Sequence, residues 1–586
     1  MNDVWEEFYE SAKEKNTKLQ ESIDKGISFE KENNIDMALK SYERALLICT
    51  SENKTLEIFN LSTKLGDLYQ ICGELEKGLQ CYLKSYNAAE ILQNKVKQVD
   101  ALNNIADSHI SKGEIEESLK YAEIANKILN EIDYIKGKIE NNICLSRICY
   151  IKKEFYKARD ISNETLKLCG NEFPLLKGKI FISLGELYKD LTSVEENLEL
   201  LNQAYECFEK ADYKRGMFGV INNIAFVFGD KLQDYEKSLE YSIKLKDLCE
   251  RSIYVEFRKI CYLNIGEMYL KSFKYHMALF WLNKALKMPF GAYMDNILTY
   301  NYALLSQANL KLCNYKKAYD FFIKASEEVS KNSNVESTLV QYYKTAALIF
   351  IEYGETSSAK SFLRKALESV EKDETLVKWN IGLVYEYINL CEAKNEIDII
   401  DIIDGIRYTL SKYKNRDEIL DTVYDISIEL INKGYNELAF NFLNEYSFMT
   451  THYESLKLKK MFIEIKLNKC ENIEILLNAL GLAKEINNVK IEWRLCCLIG
   501  DYYSKNKDIN EALSFYNDAF TIVKNMVISV PEEYRLQFAN LSKFYEAYNS
   551  LMNVKQYYSE GNNENFNICK FIKSKEELDT IFNLTN

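Results

Sequence analysis

Small and bulky apolar residues alternate along this chain at fixed distances, while its charged residues fall on the intervening helix faces. In Leu65-Gly66-Asp67-Leu68-Tyr69, the small residue Gly66 is followed three positions on by an aromatic. Gly78, Tyr82 and Ser85 lie twelve, sixteen and nineteen positions after Gly66, giving small, bulky and small. That spacing predicts two antiparallel helices in close contact. Small residues let the backbones approach, and bulky ones fill the gap between one helical hairpin and the next.

The pattern recurs. Its leading small residue stands at Gly26, Gly66, Ala106, Ser146, Gly185, Ala225, Gly266, Ser306 and Ala347, in steps of 39 to 41 residues. Self-similarity at that period predicts a solenoid in which each unit packs on its neighbours. Ser427 and Gly500 lead two further clear copies. Two copies are degenerate: one at 375–414, with its register on Gly382 and Tyr385, and one at 453–487, using Ile463, Leu476 and Ala479. The total is thirteen hairpins, or about 26 helices. The copy led by Ala225 carries one extra residue before Ser238.

Punctuation agrees with this register. Gly73, Gly113, Gly354, Gly434 and Asn33 each fall seven residues after a leading position, where the hairpin turn needs a left-handed conformation. Pro174 and Pro289 fall between hairpins and Pro531 precedes the terminal helix, so no proline interrupts a predicted helix.

These residues resemble the tetratricopeptide repeat family over about residues 20–525. The family's usual unit is about 34 residues. The longer unit here, with phrases such as Ala101-Leu102-Asn103-Asn104-Ile105-Ala106, is similar to those of kinesin light chains, Pins-type polarity adaptors, MalT-like bacterial regulators and peptide-sensing quorum receptors. The resemblance implies an all-α, right-handed superhelical solenoid. Around it we expect a helical lead-in at 1–19, a capping helix at 526–558, and a polar loop with a short terminal helix at 559–586. Val530-Pro531-Glu532-Glu533-Tyr534-Arg535 also resembles the exit from repeat domains in bacterial signalling proteins, so any output domain is expected on a separate chain.

Charge and chemistry exclude several classes. The net charge is −13 with acidic and basic residues interleaved and no basic stripe, so nucleic acid is not an expected partner. The first residues lack the basic and apolar regions of a signal peptide, and no window reaches about 18 apolar residues. A cytoplasmic chain without membrane insertion is expected. The fifteen cysteines include no Cys-x-x-Cys, and His109, His276 and His452 lie far apart, so the thiols read as small core residues. Phosphate-cradle, dinucleotide, zinc-protease and nucleophile-elbow motifs are absent, so no catalytic residue, cofactor or metal is expected. Tyr42, Tyr69, Tyr82, Tyr188, Tyr269, Tyr503 and Tyr516 occupy predicted inter-helix core positions.

The resemblance also points to a surface. In the resembled families, the residue two before the leading small position faces the concave groove, and asparagines there clamp a bound peptide's backbone. That position holds Asn104, Asn223 and Asn264, with Asn380 added if Gly382 sets the register; Asn103 and Asn222 lie one residue away. Asn141 and Asn142 fall two positions off the pattern, and Lys64, Cys144, Ser183 and Leu304 break the ladder. The chain is rich in Asn, Lys, Ile, Tyr and Phe, so composition is a second source of asparagines. The expectation is a scaffold or adaptor that binds a protein or peptide. The alternative is a quorum-type sensor of a peptide or small ligand.

Overall fold

The computed structural model describes residues 2–32, 34–191, 194–250, 255–288, 295–331, 336–370, 375–413, 415–469, 471–541, 543–559 and 571–583. Every regular element among them is helical. The first hairpins pair α1 (Asn2–Lys31) with α2 (Ile35–Ser51), α3 (Thr55–Ile71) with α4 (Leu75–Ile91), and α5 (Lys95–Lys112) with α6 (Ile115–Leu129). Next come α7 (Ile135–Ile151) with α8 (Phe155–Cys169), α9 (Pro174–Leu191) with α10 (Val194–Lys210), and α11 (Lys214–Phe226) with α12 (Tyr235–Cys249). Then α13 (Val255–Lys271) pairs with α14 (Tyr275–Leu286), α15 (Asp295–Lys311) with α16 (Tyr315–Lys331), and α17 (Glu336–Glu352) with α18 (Thr356–Glu368). The last four hairpins are α19 (Thr375–Glu392) with α20 (Glu396–Leu410), α21 (Arg416–Asn432) with α22 (Asn436–Glu445), α23 (Glu454–Leu467) with α24 (Ile473–Glu485), and α25 (Val489–Lys505) with α26 (Ile509–Ile528). A tail follows: α27 (Arg535–Leu541), α28 (Tyr545–Ser559) and α29 (Lys575–Phe582).

The chain forms two compact units, one of residues 1–264 with 288–294 and one of 265–287 with 295–586. The expected all-α solenoid of hairpins is what the helices build.

Within a hairpin the close contact falls where the spacing places it. A Cβ added to Gly66 would lie 2.5 Å from the Tyr82 ring, and one on Gly266 would lie 2.7 Å from Leu282 Cγ. A polar staple closes many of these contacts. Ser118 Oγ donates to the Ala106 carbonyl at 2.8 Å, Asn197 Nδ2 to that of Gly185 at 3.0 Å, and Ser306 Oγ to that of Ala318 at 2.7 Å. So the small residue leaves room for a helix backbone, and a short polar side chain uses the proximity to satisfy a carbonyl lone pair.

The turns share one geometry. Gly73, Gly113, Gly354 and Gly434 have φ of 76°, 77°, 82° and 90°. At the equivalent place in other hairpins Lys153, Phe273, Cys313 and Lys507 take the same left-handed conformation. In these eight hairpins the following residue donates back to the carbonyl five positions earlier, as Glu74 N does to Tyr69 O and Asp508 N to Tyr503 O, both at 2.9 Å, which caps the first helix of the pair. Asn33 lies outside the described residues.

Two hairpins depart from the regular unit, the first as expected and the second not. The extra residue of the sixth hairpin is absorbed by a π-helical turn, Val227–Lys231, that continues α11. In the tenth hairpin Gly382 does not make the close contact, because an added Cβ there meets no atom within 4 Å. In α3, α5, α7, α9, α11, α13, α15, α17, α21 and α25 the leading residue is the twelfth of its helix, as Gly66 is in α3 and Ser306 in α15. In α19 that place belongs to Glu386, and the room is supplied from the other side by Gly405, whose Cβ would sit 3.9 Å from Glu386 Cδ.

The tail is also more divided than one helix over 531–558. A 3-10 turn at Glu532–Tyr534 leads into α27, which ends as Lys543 turns left-handed at φ 53° and Phe544 N donates to Ala539 O at 3.0 Å. The helix restarts as α28, where Leu551 and Val554 pack with Ala512 and Tyr516 of α26. Of the stretch expected as a loop at 559–567, all but Ser559 lies outside the described residues.

Candidate functional site

Odd-numbered helices do more than pair with their hairpin partners. They also touch one another, α5 with α7, α7 with α9, α15 with α17 and α21 with α23. The even helices of neighbouring hairpins make no comparable contacts among the described residues. Layers packed more tightly on one side curve toward that side, so the odd helices form the inner layer of each unit.

Side chains bridge successive inner helices. Gln70 Nε2 donates to Ser108 Oγ at 2.8 Å, the Tyr134 hydroxyl to Asp100 at 2.7 Å, and Arg147 pairs with Asp107. The expected asparagines sit in this layer of the first unit in three different situations. Asn103 is buried: its Nδ2 donates to the Gly137 carbonyl at 3.0 Å, and its Oδ1 accepts from Asn141 Nδ2 at 3.1 Å. It ties α5 to α7. Asn264 Nδ2 donates to Asn222 Oδ1 at 2.9 Å, linking α13 to α11, and both residues are half-buried. Asn104 and Asn223 are half-buried, and the side-chain amide of neither makes a hydrogen bond with another described side chain or backbone group. Asn380 is half-buried on α19, but its place at the groove position rested on Gly382, which does not set that hairpin's register.

At the start of the first unit an open cleft of about 520 Å³ lies between α1, α2 and α3. Ile23, Ile27, Leu61 and Tyr42 line it, and the Glu30–Lys64 ion pair, 2.8 Å long, stands at its edge. Lys64 holds the position that asparagine occupies in α5. Further along the same layer, burial raises the carboxyls of Asp67 and Glu140 above their ordinary pKa. The Tyr82 hydroxyl, donating at 2.8 Å, and Lys64 and Lys179 oppose that rise at Asp67, and Lys136 opposes it at Glu140. The face therefore mixes amides, carboxylates, cations and a small apolar cleft.

Sequence reasoning missed a second asparagine role. Asn141, on α7, donates to the Ala122 carbonyl at 3.0 Å, and Asn301, on α15, donates to that of Leu282 at 3.2 Å. Both are fully buried and both stand five residues before a leading serine, Ser146 or Ser306. They hold one hairpin to the previous one, and the matched offset was the signal that could have revealed them. Another missed feature is Phe226, which is 42% exposed on the last turn of α11 immediately before the π-helical turn.

The described residues hold no group of three or more His, Cys, Asp and Glu side chains arranged for a metal ion, and no helix long and apolar enough to cross a membrane. His109 Nδ1 lies 2.7 Å from Glu114 and its ring stacks on Tyr121.

The sequence model of the tetratricopeptide repeat matches residues 261–290 and 494–523. No curated protein matches the chain in sequence. Among solved structures, the apo form of the quorum sensor NprR from B. thuringiensis is 14% identical with a TM-score of 0.45, covering 61% of this chain and 98% of that one. A Rap protein complexed with competence and sporulation factor is 14% identical, TM-score 0.42, over 64% of this chain and 99% of that one. The APC/C hetero-tetramer Cut9–Hcn1 is 13% identical, TM-score 0.38, over 92% of this chain and 96% of that one. The two matched segments are the hairpins led by Gly266 and Gly500, whose close contact and left-handed turn recur in other hairpins of the chain, so this helical array carries tetratricopeptide repeats at those two places.

Proposed function

We propose that this chain is a non-catalytic scaffold that binds an extended polypeptide along the inner layer of its first unit. The observation that carries the reading is the pair Asn104 and Asn223. They stand at the same offset from Ala106 and Ala225, they are half-buried, and their amides have no hydrogen bond to another described residue. A carboxamide offers both a donor and an acceptor, which matches the alternating C=O and N–H of an extended peptide. The cleft beside Ile23 and Leu61 would accept one aliphatic side chain of the bound segment. Asn103 serves the fold, and Asn264 is shared with Asn222.

The test is a selection of random dodecapeptides displayed on phage against the full chain, followed by affinity measurements on the selected peptides. Asn104→Ala and Asn223→Ala should each weaken binding roughly five- to a hundred-fold, since a desolvated peptide group left unpaired costs about 1–3 kcal/mol. Melting temperature should stay unchanged, because neither amide supports the free protein. If no peptide is selected, or affinity survives both substitutions, the inner layer is not the recognition surface.

A further inference from the structure

The tail does more than cover the last hairpin. Tyr534 stacks on Tyr353 at 5.1 Å between ring centroids and meets Phe350 edge-on at 5.7 Å. Phe538, one helical turn further on, is buried edge-on against Tyr315 at 4.8 Å. Tyr315, Phe350 and Tyr353 belong to the eighth and ninth hairpins, and so lie 181 to 223 residues back along the chain from the tail rings they meet. The other end of the same short segment is anchored in later hairpins. Phe544 packs on Trp493 of α25 at 5.5 Å, and Lys543 Nζ donates to the Asn432 carbonyl at the end of α21 at 2.8 Å.

Three further details suit a seat built for this segment. Gly354, which the ninth hairpin's turn needs for its φ of 82°, also presents a bare backbone to Gln537, whose Cβ would lie 3.3 Å from any added methyl. Lys490 of α25 reaches Glu352 of α17 at 2.6 Å, beside the aromatic seat. Asn540 accepts from the Ile572 N–H and donates to its carbonyl, both at 2.9 Å, so Ile572, just before α29, holds α27 in place.

We infer that residues 531–541, with Lys543 and Phe544, form a clasp that fastens the eighth and ninth hairpins to the eleventh and thirteenth, helping to set the curvature of the second unit. A solenoid packed only on nearest neighbours is flexible along its length, because no contact joins distant repeats. To the direct contacts between distant hairpins, Phe273 against Tyr453 at 5.3 Å and Lys490 with Glu352 at 2.6 Å, the clasp adds two aromatic side chains at i and i+4, a spacing that any short helix can present and that can leave its seat without unfolding a hairpin. Removing them lengthens the unit rather than melting it.

Hydrogen exchange on the full chain decides the matter. Tyr534 is half-buried, so Tyr534→Ala leaves the fold intact while removing the stacking on Tyr353. Amides of 336–352 should then exchange about tenfold faster, with those of α3 to α8 unchanged as an internal control. Tyr534→Phe should behave as the parent, and Lys543→Met should give the same direction of change from the clasp's other end. Small-angle scattering should show a larger radius of gyration for Tyr534→Ala. Unchanged protection at 336–352, or loss confined to 509–559, overturns the clasp and leaves the tail as a cap alone.

Discussion

The hydroxyl of Ser238 donates to the backbone carbonyl of Ala225 at 2.7 Å across thirteen residues, where Ser118 makes the same bond to Ala106 across twelve. The staple survives because the added residue is wound into the π-helical turn Val227–Lys231 rather than pushed into the hairpin contact. Deleting Gly229 should therefore restore a regular helix and leave the melting temperature nearly unchanged. Deleting Ile110, at a comparable place in α5, should lose both the Ser118 staple and a buried core side chain, at a cost above about 3 kcal/mol. Thermal melts followed by circular dichroism check both. Equal damage from the two deletions would mean the π turn is not where the extra residue is stored.

Glycines in these helices fall into two kinds with opposite responses. At Gly266 an added methyl meets Leu282 at 2.7 Å and its backbone nitrogen at 3.2 Å, so Gly266→Ala should destabilise by about 1–3 kcal/mol, and Gly266→Leu by more. At Gly382 the same methyl meets nothing, and the better helix propensity of alanine should stabilise by up to about 1 kcal/mol. Urea denaturation of the two variants side by side gives the sign of each.

That contrast also shows what was legible in the sequence. Spacing found the leading residues of nine successive hairpins because a close helix contact admits few residue types, and each one repeats at a nearly constant step. It misplaced the tenth because Glu386 and Gly405 exchange the roles of small and large, and only the sum of the two side chains matters to the packing. The site was harder to read. Asn103, Asn104 and Asn141 are alike in sequence, yet one is half-buried and unpaired while the other two bond to each other between α5 and α7. A one-residue step turns a helical side chain by about 100°, from one neighbour to another. The clasp left no periodic trace at all, since it joins hairpins by contacts that occur once.

The thiols give a third prediction. Burial pushes Cys81 up to about 11 and both Cys144 and Cys496 up to about 12, so almost none of each is thiolate at neutral pH. A thiol-reactive dye should titrate few cysteines in the native chain and all fifteen in denaturant. Rapid native labelling of Cys144 or Cys496 would show that the inner helices open far more readily than their packing implies.

Lys344 supplies the last prediction. It lies on α17 within the second unit, half-buried and without an ion pair among the described residues. Burial lowers its ammonium from the ordinary 10.5 to about 8; Glu418 and Glu267 oppose that shift, while Lys271 and Lys311 add to it. Because the folded value is below the unfolded one, holding the proton costs stability. The cost is complete below pH 8, shrinks as pH rises toward 10.5 and is absent above it. Lys344→Met keeps the length of the side chain and removes the charge, so at pH 7 it should stabilise the chain by about 1–3 kcal/mol. Near pH 10 the parent's amine is already mostly neutral, and the advantage should fall to a small fraction of that. Urea melts of parent and variant at the two pH values separate charge from packing, because a packing gain would be the same at both. A loss of stability at pH 7 would instead mean that Glu418 and Glu267 hold the ammonium more strongly than burial disfavours it.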